Sequence, residues 1–260
     1  MAIGIFDSGV GGLTVFKEIT KEYPETDIFY LGDTARVPYG NKSKETIIRY
    51  SLECGEYLKS LNIDVLVIAC NTASSYALPV LRKYLDIPVI GVVLPGVKTA
   101  LKKTKNKKIG VIGTLATVRS NSYKNLLLKE DQSLEIYQKP CPLFVPLVEE
   151  GMIDNHIAKI VVKEYLDDLV AKGIDTLILG CTHYPLLKNT IKSLYPELNI
   201  VDSSKATAEF LKEIYHPKSE NSIKKIFITD ENQNFIKLKN LVVGKDIPVE
   251  KLELTKLCKF

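Results

Sequence analysis

Short apolar runs recur along the chain, separated by longer stretches in which apolar residues return every three or four positions. The runs Ala2–Phe6, Ile28–Gly32, Asp64–Ala69 and Pro88–Val92 are nearly continuous and rich in β-branched residues. That pattern predicts strands of a parallel sheet covered on both faces. The intervening segments, opening at Gly12, Lys44 and Thr72, have helical spacing. A second series follows, with strands over Lys108–Ile112, Ile136–Gln138, Thr176–Gly180 and Asn199–Val201 and a long helical stretch over Asp154–Lys172. Beyond Asp202 the pattern gives a helix from about Lys205, a strand over Lys225–Thr229 and a helix after Asp230. Strands alternating with helices predict an α/β fold of parallel sheets flanked by helices.

The two series look like copies. Cys70 ends VLVIAC and Cys181 ends TLILGC, 111 positions apart (181 − 70), and the same offset carries Asp64 onto Asp175 and Leu66 onto Leu177. The IGIFDSG segment at Ile3 has a near-copy in IGVIGT at Ile109, an offset of 106 (109 − 3). A repeat of that length is domain-sized, which predicts two similar lobes related by internal duplication, with the active site between them. The expected division is residues 1–94 plus 205–260 for one lobe and 95–204 for the other, with KKIFITD adding a strand to the first.

In such sheets ligands sit beyond the carboxyl ends of the strands. The residues there are Asp7 and Ser8, Asp33, Cys70 with Asn71 and Thr72, Thr114, and Cys181 with Thr182 and His183. A cysteine at a strand end is usually a small buried hydrophobe. Two in register, each followed by polar residues expected to open a helix, point instead to paired thiols, because helix N-terminal amides favour a thiolate. Asp7 is placed either to cap the turn after its strand or to serve Cys70 as a proton partner. His183 has the same choice beside Cys181. Gly9, Gly11 and Gly12 have the spacing of neither a Walker loop nor a dinucleotide fingerprint. They are expected to bring backbone amides close to a small carboxylate, since no arginine ends a strand and Arg36 is the nearest candidate.

Composition narrows the picture. The chain has 260 residues, 45% hydrophobic and 25% charged, the balance of an ordinary globular protein. No apolar run approaches the roughly 20 residues needed to span a bilayer, and the N-terminus enters a strand without a basic-then-apolar leader, so a cytoplasmic protein is expected. The net charge of +4 rests mostly on lysine, and the basic stretch Lys102–Lys108 reads as a solvated helix end, which argues against a nucleic-acid partner. Five cysteines without a CxxC pair suggest free thiols. Cys54, Cys141 and Cys258 lack the strand-end setting and read as structural, and His156 and His216 have no partners in sequence.

Taken together, FDSGVGGLTV, LGDTARVPYG, ACNTAS, the IGT-x-x-T of Ile112–Thr117, PLVEEG and GCTHYPLL resemble, in order and over the whole chain, the glutamate racemase family. The resemblance implies cofactor-independent, metal-free interconversion of L- and D-glutamate. Cys181 would deprotonate the L-enantiomer with Cys70 as proton donor, and the roles would reverse for the D-enantiomer. Asp7 and His183 would assist their cysteines. Asp7, Ser8, Tyr39, Gly40, Asn71, Thr72, Thr114, Thr117, Thr182 and His183 would hold the substrate. Glu149 stands at the family's PLVE position, with Glu150 beside it as an alternative. A homodimer and a role in supplying D-glutamate for peptidoglycan are implied as well. The residues alone leave room for a racemase of another small amino acid, a cysteine hydrolase using Cys181 and His183, or a zinc protein using Cys70, Cys181 and His183.

Overall fold

The structure is a computed structural model that describes residues 1–217, 222–231 and 233–257; Cys258 lies outside them. Among the described residues ten strands form two sheets. The first six-stranded sheet contains β1 (Ala2–Asp7), β2 (Asp27–Gly32), β3 (Val65–Ile68) and β4 (Val89–Gly91), together with β9 (Lys224–Ile228) and β10 (Val249–Lys251). The second holds β5 (Lys108–Gly113), β6 (Glu135–Pro140), β7 (Thr176–Gly180) and β8 (Asn199–Asp202). The orders are β10-β9-β2-β1-β3-β4 and β6-β5-β7-β8, so the second repeats the β2-β1-β3-β4 core of the first. Every pairing is parallel.

Strand alternation explains the layers. On β1, Ile3 and Ile5 pack with Leu13, Phe16 and Ile19 on one side, while Ala2 and Phe6 pack with Leu58, Leu66 and Ala77 on the other. Each large apolar side chain buried in this way contributes about 1.5–3 kcal/mol. In the second sheet Leu177 and Leu179 join Val162, Leu166 and Leu169, whereas Ile178 joins Val97 and Tyr123. Ala208 and Leu211 of the helix Ser203–Ile214 pack into the core of the first sheet.

Three features differ from the sequence expectation. The edge strand β10 was not foreseen, because Val249–Lys251 carries one apolar residue and two exposed charges. Short helices occur at Leu115–Arg119 and Phe144–Glu149, below the length at which periodicity is readable. Most relevant to the site, Cys70 caps a 14-residue α-helix, Asn71–Tyr84, whereas Cys181 precedes a 3₁₀ turn over Tyr184–Leu187 that is capped by His183 and runs into a short helix, Lys188–Leu194. Pro185 lies within that 3₁₀ turn and has no N–H to give. The two thiols therefore do not share the helix-terminus setting that their sequences suggest.

Candidate active site

The site forms where the carboxyl ends of the two sheets face each other. In each sheet strand order reverses beside the first strand, so β1 and β3, and likewise β5 and β7, flank a crevice of the kind that binds ligands. Asp7 ends β1, Thr114 and Cys181 directly follow β5 and β7, and Cys70 lies two residues past the end of β3.

Both sulfurs are buried, Cys70 at 5% and Cys181 at 6% exposure, and both line a cavity of about 30 Å³. Ser8, Tyr39, Gly40, Asn71 and Thr72 line it from the first sheet's side; Thr114, Thr182 and His183 line it from the second's. That volume holds a water-sized molecule and not an amino acid. Val37, Pro38 and Val145 also line it. Val37 and Pro38 sit inside the LGDTARVPYG motif, whereas nothing in the sequence marks Val145, an apolar residue of a short helix.

Three expected site residues stand behind this lining. Asp7 is fully buried, and its carboxylate accepts from the Gly9 N–H at 2.9 Å and the Thr182 hydroxyl at 3.3 Å. Burial raises its pKa, while those donors and His183 pull the other way. The Thr117 hydroxyl lies 3.0 Å from that of Thr114 and 3.2 Å from that of Thr72, which itself meets Thr114 at 2.9 Å. Glu149 approaches His183, with Oε1 3.1 Å from Nε2. Glu150 instead accepts from Asn234 at an exposed position.

The surroundings of the two thiols are unlike. Cys70 caps its helix, its sulfur accepting from the Ala73 N–H at 3.5 Å. Burial and the charge of Asp7 nevertheless push the thiol up to about 12, against the opposing pull of Ser8 and Ala73. Cys181 faces His183, whose Nδ1 is 3.8 Å from its sulfur. Burial alone would push that imidazole down, but its hydrogen bonds to Cys181 and Glu149 and their charges hold it up at about 10, above its ordinary 6.5. One thiol thus has a helix end and a carboxylate for neighbours; the other has an imidazole that holds its proton at neutral pH.

This arrangement predicts that Glu149→Gln lowers the His183 pKa from about 10, as followed by NMR titration of the ring; an unmoved titration would remove Glu149 from that role. The stability that His183 gains from its raised pKa is whole below 6.5 and is lost as pH rises through about 10, so the native protein should outlast a His183→Gln variant least at the alkaline end.

Gly11 of the first loop and Gly40 of the loop after β2 both face residues of the second sheet. A Cβ on Gly11 would lie 2.5 Å from both His183 Nδ1 and Thr182 Oγ1, and one on Gly40 would lie 2.8 Å from Thr114 Cβ. Their smallness lets the second sheet's residues come close across the cleft. Arg36 is placed elsewhere: it donates to Asp33 at 2.7 Å, pairs with Glu53 and stacks on Tyr50. Asp33 further accepts from the Tyr39 hydroxyl at 2.6 Å and the Thr229 hydroxyl at 3.0 Å, fixing the loop whose Tyr39 and Gly40 line the cavity. Among the described residues no cluster has the makings of a metal site, and no helix is long and apolar enough to cross a membrane.

The family model described as Asp/Glu/Hydantoin racemase matches residues 7–211. A glutamate racemase from Persephonella marina is 67% identical, covering 99% of both chains. The chain belongs to the glutamate racemase family. Solved structures agree in fold: a Bacillus anthracis glutamate racemase matches with a TM-score of 0.92 at 40% identity, over 97% of each chain. A Francisella tularensis glutamate racemase in complex with D-glutamate matches with a TM-score of 0.89 at 34% identity, over 100% of this chain and 98% of the other. The enzyme is therefore an amino-acid racemase, and its two sheets are those of the racemase fold.

Proposed function

We propose that this racemase inverts the α-carbon of glutamate between Cys70 and Cys181, with residues 1–94 and 205–260 forming one lobe and 95–204 the other. The observation that carries the reading is the pair of buried thiols, one from each sheet, lining a single cavity. Inversion needs a base and an acid on opposite faces of a very weakly acidic carbon. A Cys181 thiolate takes the α-proton of L-glutamate, its C–H electron pair passing into the adjoining carboxylate. The Cys70 thiol then gives its own proton to the other face. D-glutamate leaves with Cys181 as thiol and Cys70 as thiolate, and the reverse reaction starts from that state. A cationic His183 pairs with the Cys181 thiolate and is itself steadied by Glu149. Asp7 bears on Cys70 through its charge.

Ser8, Tyr39, Gly40, Asn71, Thr72, Thr114, Thr117 and Thr182 supply hydroxyls, an amide and backbone groups to hold the substrate. Incubation with L- or D-glutamate in D₂O without added cofactor tests the reading. Loss of optical activity together with α-deuteration is expected; no deuteration of either enantiomer would overturn it.

Glutamate enters when the lobes part, since the cavity of about 30 Å³ is too small for it. The enzyme works in the cytoplasm as a homodimer and supplies D-glutamate for peptidoglycan precursors, as the family resemblance implies. Solution scattering with and without glutamate checks two of these points. A monomer's mass would overturn the dimer, and identical profiles would overturn the lobe motion.

A further inference from the structure

Asn71 follows Cys70 and is 2% exposed. Its Oδ1 accepts a 2.6 Å hydrogen bond from the hydroxyl of Tyr123, on the helix Ser122–Glu130 of the other lobe. Its Nδ2 is buried and has no partner among the described residues. A buried amide left unpaired costs about 1–3 kcal/mol, so this group calls for an acceptor. Asn71 also lines the cavity between the thiols.

The Tyr123 ring has little freedom. It is 1% exposed, and a Cβ on Gly96 would lie 3.2 Å from its Cε1, while one on Gly180 would lie 3.2 Å from its Cε2. Gly180 immediately precedes Cys181. The ring is thus set between the helix Val93–Lys103 and the end of β7, with its hydroxyl pointing across the cleft to the residue after Cys70. Burial pushes the phenol far above its ordinary pKa, so it remains an O–H donor, and a donor fixes the amide oxygen towards itself.

We propose that Tyr123 is a positioning residue for the racemase reaction: it locks the Asn71 amide with its N–H₂ turned to the substrate, as donor to a glutamate carboxylate oxygen. This inference rests on the proposed placement of glutamate between Cys70 and Cys181. Through Tyr123 the strand end that bears one thiol sets the binding group beside the other.

The test compares Tyr123→Phe, Asn71→Ala, Asn71→Asp and the Tyr123→Phe/Asn71→Ala double variant with the unsubstituted enzyme in glutamate racemisation, with thermal melting to follow folding. Tyr123→Phe keeps the ring and should raise KM for both enantiomers roughly 5–20-fold, with a smaller fall in kcat, as expected for losing control of one charge-assisted hydrogen bond. On the Asn71→Ala background it should add little, because the two residues act as one unit. Asn71→Asp should bind glutamate worse than Asn71→Ala, since a carboxylate would then face the substrate. An unchanged KM in Tyr123→Phe, a full additional loss in the double variant, or an Asn71→Asp enzyme that binds as well as the unsubstituted one would each overturn the proposal. Failure of the unsubstituted enzyme to racemise glutamate would overturn both the proposal and the site reading beneath it.

Discussion

Replacing either Cys70 or Cys181 by alanine is expected to lower kcat/KM by on the order of 10³-fold or more, and by the same factor for L- and D-glutamate. The equality follows from symmetry. The enantiomers have the same free energy in water, so forward and reverse kcat/KM are equal for the unsubstituted enzyme and for every variant of it. The difference between the two sides of the site emerges in proton exchange. On the assignment proposed above, the surviving thiol of Cys70→Ala faces only L-glutamate, so slow α-proton washout into D₂O should be confined to that enantiomer. In Cys181→Ala it should be confined to D-glutamate. Because Cys70 also caps a helix, Cys70→Ser is the companion variant: its oxygen remains able to accept from the Ala73 N–H. Racemisation within tenfold of the unsubstituted rate, or equal washout of both enantiomers by one variant, would exclude the two-thiol assignment.

Gly11→Ala is expected to cost about 10²-fold in kcat/KM while leaving the protein folded. The added methyl would lie 2.5 Å from His183 Nδ1 and 2.7 Å from its Cε1, well inside contact distance. Gly11 is not among the positive-φ residues, so alanine fits the backbone there and the damage falls on the His183 ring and the Thr182 hydroxyl, which would lie 2.5 Å away. His183 is held by Cys181 on one nitrogen and Glu149 on the other, and a ring driven from that line loses both partners. Misplacement by about 1 Å is enough for a loss of this size, whereas overpacking of this kind costs about 1–3 kcal/mol in stability. Activity assays paired with thermal melting separate the two effects. A variant with unsubstituted kcat/KM would mean that the imidazole tolerates displacement.

The strands were legible because a parallel sheet covered on both faces leaves an uninterrupted apolar run, as in β1, β3 and β7. The two halves could be aligned because Cys70 and Cys181 close such runs. What the sequence could not give was the company each thiol keeps. Local sequence suggested matching helix ends, but a 3₁₀ turn follows one thiol where an α-helix follows the other, and Glu149 reaches His183 from a segment 34 residues away. The adjacent Glu150 differs from Glu149 only in direction, which no one-dimensional pattern records. The closeness of Thr182 and His183 to Gly11 of DSGVGG is likewise set only in three dimensions. Arg36 looked free to meet a carboxylate until Asp33 and Glu53 were found beside it. Tyr123 carried no signal, being one of 13 tyrosines.

The first sheet is drawn from segments on either side of the second in sequence. β2 pairs with β9 so that Ile28 lies beside Lys224, whereas the second sheet is complete within Lys108–Asp202. Synthesis runs from the N-terminus, so the nascent protein can finish its four-stranded sheet while β2 still waits with an open edge. The late-arriving segment also brings Thr229, which closes onto Asp33 and so onto the loop that holds Tyr39. The loop that lines the cavity is thus keyed in by a segment made after the whole second sheet, and a ribosome-bound precursor carries both thiols before that wall is fixed.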